Sequence, residues 1–412
     1  MIDVRAHLAR KPLLFDGGMG TYYKAKPGTE CEQGNLLDPA GVRKVHREYL
    51  AAGAEAIKTN TFGLPRMAAA QQPDWQALAR AGWKLAAEAA VETGAAVFAD
   101  LGPAPDTEAA PAGSIYTAVA RCFVEQGAKN FLFETLSSDA GVLEAVQAVK
   151  AQVPDAFVLV SFAVLPDGYT REGMYSKDLV RRMTESGIVD AVGFNCVSAP
   201  GAMRTLVQQL GSTALPLSVM PNAGYPVVTR TQVKYQGKPE YFAKELARIA
   251  AEGVRILGGC CGTTPAHIAA LRAALDSLPA VEKAAPAVQV STPEAPTVEK
   301  DDAFLRKLNA GKKVIAIELD SPKDADLTNY LAGAKRLQAA GADLLTIADC
   351  PIARARMDSS LVACRVHREL GLCTLPHMTC RDRNLNATKA LLLGLYAEGV
   401  REVLAITGDP IP

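Results

Sequence analysis

Five histidines among 412 residues leave little room for a histidine-rich metal site. Charge of one sign is also missing. The 44 Lys plus Arg balance 44 Asp plus Glu, so the basic footprint that nucleic acid requires is absent. No stretch approaches the roughly 18 apolar residues of a membrane span. The first 18 residues lack the apolar core of a secretory signal. Neither a nucleic-acid partner nor a membrane is expected, and a cytoplasmic location is. Nine cysteines are present. In a reducing compartment, paired cysteines point to metal binding or catalysis before disulfides.

The chain is too long for one core. Across residues 12–275 a unit of apolar strand, polar or glycine-rich loop and helical pattern repeats eight times. The strands are expected at 12–18, 54–62, 95–103, 130–136, 157–164, 191–197, 215–224 and 254–262. They are short, near-continuous apolar runs, as parallel strands covered on both faces must be. Eight evenly spaced units favour a closed (β/α)8 (TIM) barrel over an open doubly wound sheet, an α/β architecture in either case. The barrel is assigned to residues 1–278. Residues 279–300 are rich in Ala, Pro, Val and Glu without amphipathic period, and read as a semi-rigid linker. The rhythm restarts in 301–412, with strands expected at 313–320, 344–349, 373–380 and 402–409 and helices near 328–340, 359–370 and 384–397. Four units cannot close a barrel. This region reads as the first half of a second one, completed by a missing segment or a partner. It should expose sheet edges and be the less stable part.

Active sites of such barrels lie at the C-terminal ends of the strands. Those positions hold Asp16, Asn60, Asp100, Glu134, Ser161, Asn195 with Cys196, Asn222, and Cys260 with Cys261. Three thiols from two strand ends could hold one zinc ion and leave a coordination position free. Adjacent cysteines on a regular strand point to opposite faces, so Gly258, Gly259 and Gly262 are expected to let the backbone kink. Buried small hydrophobes or a vicinal disulfide are the alternatives. Three thiolates on Zn²⁺ suit a fourth, substrate thiol that is deprotonated yet nucleophilic. A hydrolytic zinc more often has His and carboxylate ligands. Asp16-Gly17-Gly18-Met19-Gly20-Thr21 could offer backbone N–H groups to a carboxylate, while Asp16 and Glu134 pair with an ammonium. A tight turn and a helix cap are the plainer readings of these residues. Lys58 could be a Schiff-base lysine or the partner of a neighbouring carboxylate.

The motifs LFDGGMGT (14–21), KTNTFG (58–63), FET (133–135), GFNC (193–196) and GGCCGTTPAHI (258–268) resemble the homocysteine S-methyltransferase domain. That domain is found in betaine–homocysteine methyltransferase and in the first module of cobalamin-dependent methionine synthase. The resemblance spans about residues 5–278. It implies zinc on Cys196, Cys260 and Cys261, and homocysteine held by Asp16, the Gly17 and Gly18 backbone and Glu134, with Thr21, Asn60 and Asn195 lining the same pocket. The second region resembles the start of methylenetetrahydrofolate reductase. There the resemblance implies Glu318 as the proton-donating glutamate and contacts to FAD from His377, Thr379 and Asp409. It departs from that family's pattern after Glu318, where Leu319-Asp320-Ser321-Pro322 replaces a Phe-Phe-Pro-Pro-like run.

The function expected is zinc-dependent methyl transfer to the homocysteine thiol, forming methionine, with a reductase-related C-terminal region. The candidate donors are S-methylmethionine, S-adenosylmethionine, a methyl-corrinoid and 5-methyltetrahydrofolate. No Asp-x-His-x-x-Gly run is present, so a corrinoid would arrive on another protein. Two alternatives stand beside this reading. The half-barrel could serve only as a docking or homodimerisation element, or the thiols could hold a structural zinc in a binding protein.

Overall fold

Period-two alternation in the apolar runs decides the architecture. In the first unit, alternate residues of each run pack outward beneath helices: Leu14, Ile57, Val97, Phe131, Val158, Val192, Val219 and Leu257 are buried there. Their neighbours Leu13, Ala56, Ala96, Leu132, Leu159, Ala191, Met220 and Ile256 fill a separate interior cluster. Two apolar faces per strand require a parallel sheet wrapped by helices and closed on itself. The computed structural model describes residues 2–26, 28–228, 233–235, 237–277, 303–381 and 383–409. It divides into two compact units, Met1–Val290 and Ser291–Pro412. The expected linker, 279–300, lies outside the described residues.

The first unit contains β1 (Leu13–Leu14), β2 (Ala56–Lys58), β3 (Ala96–Leu101), β4 (Asn130–Leu136), β5 (Phe157–Phe162), β6 (Ala191–Asn195) and β7 (Leu217–Met220). An antiparallel hairpin, β8 (Pro226–Val228) and β9 (Val233–Tyr235), follows, and then β10 (Ile256–Leu257). The sheet order is β1-β10-β7-β6-β5-β4-β3-β2, all parallel. A bridge between Phe15 and Ala56 joins the two ends, with Glu55 N donating to Leu14 O at 2.7 Å and Asp16 N to Ala56 O at 3.0 Å. This is the eight-stranded barrel that the repeats predict. Phe98 packs between Phe15, tilted at a centroid distance of 4.7 Å, and Phe157, edge-on at 6.0 Å, in its interior.

Three features depart from the sequence reading. The first and last barrel strands are two residues long, not seven and nine, because their glycine-rich continuations bond elsewhere. Gly259 N donates to Asp16 O and Cys260 N to Pro221 O. The β8–β9 hairpin was not anticipated. Nor was the helix Val4–Leu8, whose Val4 and Leu8 join the interior cluster. Its Arg5 bonds Asp155 O, Ala156 O and Asp190, just ahead of β5 and β6, so the helix plugs the N-terminal mouth.

The second unit has a four-stranded parallel sheet in the order β11 (Ala316–Glu318), β12 (Leu344–Ile347), β13 (Cys373–Thr379) and β14 (Leu404–Ile406). Helices Thr328–Ala339, Ser359–Leu370 and Leu385–Ala397 alternate with these strands, and Ala303–Asn309 precedes them. Tyr330, Leu345, Ile347, Val362, Val366 and Leu395 form its core. The outer strands β11 and β14 each pair on one side only, among the described residues. No helix among the described residues is long and apolar enough to cross a membrane.

One buried group makes the first unit acid-sensitive. His46, on the helix Pro39–Ala51, is fully buried, and neither ring nitrogen has a hydrogen-bond partner among the described residues. Burial lowers its pKa from 6.5 to about 4. The unfolded chain therefore takes up a proton near pH 6.5 that the folded chain refuses. Stability falls as pH drops from about 6.5 towards 4, by ~3 kcal/mol for this group. His46→Leu should remove that component. Trp75 and Trp83, the chain's two tryptophans, both lie in this unit, so denaturant unfolding followed by their fluorescence reads it. The stability difference between variant and wild type should grow by ~3 kcal/mol from pH 7 to pH 4. A constant difference would contradict the assignment.

Candidate active site

The same alternation that fills the barrel places polar groups at its C-terminal mouth. The next inward position after Ala56 is Lys58, after Phe98 is Asp100, after Leu132 is Glu134, after Leu159 is Ser161 and after Gly193 is Asn195. All five residues are buried, at 6% exposure or less. Glu134 sits where the β4–β5 register shifts, between Phe133 and Leu136. Thr135 beside it has φ 62°. Such irregularities re-aim side chains near functional sites.

Cys196 follows β6 with φ 59°, a left-handed conformation that non-glycine residues hold only when the surroundings enforce it. Its N–H donates to Met220 O at 3.1 Å. Cys260 and Cys261 lie on the loop after β10. The Sγ atoms of Cys196, Cys260 and Cys261 lie within 4.8 Å of one another, and Cys196 and Cys261 are 3.8 Å apart. All three are free thiols, so no vicinal disulfide forms. A tetrahedron with zinc–sulfur bonds of about 2.3 Å has sulfur–sulfur edges of about 3.8 Å, which the Cys196–Cys261 separation matches. Without a cation the thiols hold their protons. Cys260 lowers the pKa of Cys196, but the Cys261 bond and burial outweigh it, and the net shift is up to about 11. Cys261 rises to about 12. A divalent cation supplies the charge that deprotonation of such a set requires.

The glycines act differently from the expected kink. A Cβ at Gly258 would lie 2.6 Å from Phe15 Cβ, and one at Gly259 2.4 Å from Thr263 Oγ1. Their contribution is close approach. Only Gly262 needs positive φ (79°), and Tyr235 of the hairpin packs against it. Thr263, not singled out from sequence, ties the loop together. Its Oγ1 donates to Cys260 O at 2.6 Å and accepts from Gly18 N at 2.9 Å. Tyr49 OH donates to Thr263 O at 2.9 Å. Gly18 N–H, expected to face an anion, is thus taken by Thr263, and Thr21 Oγ1 accepts from Gly262 N at 2.9 Å. A buried tyrosine hydroxyl needs a partner, and that was the available signal for Tyr49.

Asp16, Lys58 and Glu134 meet beside the thiols. Lys58 Nζ lies 3.9 Å from Asp16 Oδ1 and 3.7 Å from Glu134 Oε2, and 3.4 Å from Gly259 O. Burial opposes its charge, but Glu134 and Asp16 more than reverse this and raise its pKa. It is the ion-pair partner and not a neutral, Schiff-base lysine. Burial raises Asp16 to about 7 despite Lys58. Asp16 Oδ2 accepts from Lys58 N at 3.0 Å, while buried Oδ1 accepts no hydrogen bond among the described residues. Asn195 Nδ2 donates to Glu134 Oε2 at 3.1 Å and lies 3.9 Å from Cys260 Sγ. Asn60 is drawn into the loop that follows β1, donating to Cys31 O and Asn35 Oδ1 and accepting from Cys31 Sγ.

In the second unit the residues singled out gather at strand ends. Glu318 Oε2 and His377 Nε2 are 4.0 Å apart, with Glu318 exposed. Thr379 donates through both N and Oγ1 to Asp349, which sequence reasoning missed. Asp409 Oδ2 accepts from Ile352 N at 2.6 Å. Cys350, Ile352 and Ala353 all have positive φ.

A closed parallel barrel with three convergent thiols beside a carboxylate pair defines the class of protein. Residues 13–275 match the homocysteine S-methyltransferase family model, and the chain belongs to that family. Residues 303–412 match the methylenetetrahydrofolate reductase model. The methionine synthase of Mycobacterium tuberculosis (strain ATCC 25618 / H37Rv) is 30% identical over 312 residues, covering 69% of this chain and 26% of that protein. That of Mycobacterium leprae (strain TN) is 31% identical over 302 residues, covering 66% and 25%. The chain thus spans about a quarter of these relatives' length. Among solved structures, the apo form of the Escherichia coli homocysteine methyltransferase MmuM is 27% identical with TM-score 0.50, covering 64% of this chain and 96% of that one. Its metallated form is 24% identical with TM-score 0.53, covering 66% and 99%, and shows the shared fold.

The close approaches at Gly258 yield a direct test. Gly258→Ala should destabilise the first unit by about 1–3 kcal/mol through overpacking against Phe15. Gly20→Ala, where nothing lies within 4 Å, should be neutral or stabilising by up to about 1 kcal/mol. Tryptophan-monitored unfolding of the two variants checks the contrast, and equal effects would refute it.

Proposed function

We propose that the first unit transfers a methyl group to the thiol of homocysteine, forming methionine, with Zn²⁺ held by Cys196, Cys260 and Cys261. The observation that carries this reading is the convergence of three thiols, their sulfur atoms within 4.8 Å of one another, beside a buried carboxylate pair. Zinc so held supplies a Lewis acid that lowers the pKa of a thiol taken into its open position while leaving the sulfur nucleophilic.

The chain's own residues do the positioning. Asp16, through the Oδ1 that accepts no hydrogen bond among the described residues, and Glu134 receive the substrate ammonium. Gly17 remains as the backbone donor of the glycine pair for the substrate carboxylate. Burial of the mouth keeps water from these charges and strengthens them. The homocysteine sulfur loses its proton to solvent and attacks the donor's methyl carbon. A sulfur–carbon bond forms as the bond from methyl to donor breaks, and the donor leaves with that electron pair. Alignment of the two reactants is the remaining contribution. A donor panel of S-methylmethionine, S-adenosylmethionine, a methyl-corrinoid and 5-methyltetrahydrofolate, tested with zinc-loaded protein, identifies the donor.

The second unit is proposed to be reductase-related, with Glu318 and His377 facing a folate-type substrate and FAD beside His377, Thr379 and Asp409. A flavin absorption spectrum of the purified protein tests this. Absence of flavin after incubation with FAD favours a docking or dimerisation role. Nine cysteines without a disulfide among them support a reducing, cytoplasmic setting.

Cys261→Ala should lose zinc and methyl transfer together, with the rate falling more than about 100-fold. Metal analysis and product assay on the same preparation check it, and an active zinc-free variant would sink the mechanism. Zinc-edge spectroscopy should show three sulfur neighbours becoming four when homocysteine is added. No change would favour a structural zinc.

A further inference from the structure

The Asn195 amide is spent. Its Oδ1 accepts from Ser161 Oγ at 2.8 Å and from Thr135 N at 2.9 Å. Its Nδ2 donates to Thr135 Oγ1 at 2.7 Å and to Glu134 Oε2 at 3.1 Å, with Cys260 Sγ as a longer third contact at 3.9 Å. Both lone-pair directions of the oxygen and both protons of the nitrogen are used, so Asn195 has no hydrogen bond left for a substrate. Ser161 and Asn195 are both fully buried. They come from neighbouring strands, β5 and β6, and Glu134 comes from β4. The network crosses three strands and reaches one oxygen of one carboxylate.

We propose that Ser161 and Asn195 form a positioning relay that aims Glu134 at the substrate ammonium. This rests on the reading of Glu134 as an ammonium partner. The Thr135 N–H, which can only donate, fixes the amide oxygen on its side, and Ser161 Oγ adds a second bond to the same oxygen that holds the amide in that orientation. The Asn195 amino group must then point at Glu134 Oε2. That bond holds the carboxylate rotamer, while Lys58, at 3.7 Å, balances charge from beyond hydrogen-bond distance. The remaining oxygen of Glu134 is left to accept from the ammonium. A flipped amide would instead present its oxygen to Glu134 and push the carboxylate away. The relay therefore sets preference for thiols that carry an α-ammonium, and it acts at the amino-acid end of the substrate, not at its sulfur.

The test is calorimetric titration of the zinc-loaded full chain with homocysteine and with 4-mercaptobutanoate, which keeps the thiol and carboxylate and lacks the ammonium. Ser161→Ala should weaken homocysteine binding about three- to tenfold, and Asn195→Asp at least about tenfold. Ser161→Ala should leave the Kd for 4-mercaptobutanoate within about twofold and zinc content at the wild-type value. Asn195→Asp, whose new carboxylate also lies near Cys260 Sγ, is read by the ratio of its two affinities, which should shift against homocysteine. Glu134→Gln should show the same selective loss. Ser161→Ala combined with Glu134→Gln should lose no more than Glu134→Gln alone, because both changes act through one carboxylate. A general structural defect would weaken both thiols equally, and that result overturns the relay. So do unchanged homocysteine affinity in Ser161→Ala and losses that multiply in the double variant. If Glu134→Gln itself leaves homocysteine affinity unchanged, the assignment of Glu134 to the ammonium fails, a result distinct from failure of the relay alone.

Discussion

Closure of the ring between β1 and β2 is the constraint on which the site depends. Two backbone hydrogen bonds and the Phe15–Ala56 bridge join the ends of the eight-stranded sheet. Closure sets Asp16 beside the Lys58 N–H, and the β1–β10 pairing sets the same segment against the cysteine loop. Residues more than two hundred positions apart thereby share one mouth. The short length of β1 and β10 follows from the same crowding. Their continuations give up ladder bonds and bond one another instead, and a Cβ at Gly258 or Gly259 would crowd its neighbours.

The mouth is a buried and charged environment, and its physics follows from that. Three carboxyl groups, Asp16, Asp100 and Glu134, and the Lys58 ammonium sit out of water with few direct hydrogen bonds among them. Such an arrangement is costly unless every charge has a counterpart. Lys58 balances Asp16 and Glu134 from a distance. Burial pushes the pKa of Asp100 well above the usual carboxylate range and that of Asp16 up to about 7, so an incoming ammonium would favour their ionised forms. The thiol cluster has the opposite need. Hydrogen bonds among the thiols, together with burial, keep its protons on, and a cation would release them. An amino acid bearing a thiol satisfies both halves at once.

Much of this was legible in the sequence because of period. Eight apolar runs announced the barrel, and the rule that strand C-termini carry chemistry located Asp16, Glu134, Cys196, Cys260 and Cys261. Other residues were legible only as types. Lys58 read equally as nucleophile or ion-pair partner, until the positions of Asp16 and Glu134 decided it. Asn60 and Asn195 lay at strand ends like the others. Asn60 is held by the loop around Cys31, and Asn195 by Ser161 and Thr135, because a buried amide bonds whatever folds against it. The helix Val4–Leu8 gave too short a signal to be read, and its role as a plug exists only once the barrel has a mouth to close.

The sequence by itself determined the two apolar faces of each strand, and so the parallel closed sheet, since alternation is a local property. It also determined which residue types stand at the mouth. The tertiary structure alone decided how they are connected: that Thr263 and Tyr49 hold the cysteine loop, that Gly258 and Gly259 serve close approach and not a kink, and that one asparagine is consumed in aiming Glu134. Those outcomes depend on which hydrogen-bond partner lies nearest after folding, and that distance is set by packing between strands remote in the chain.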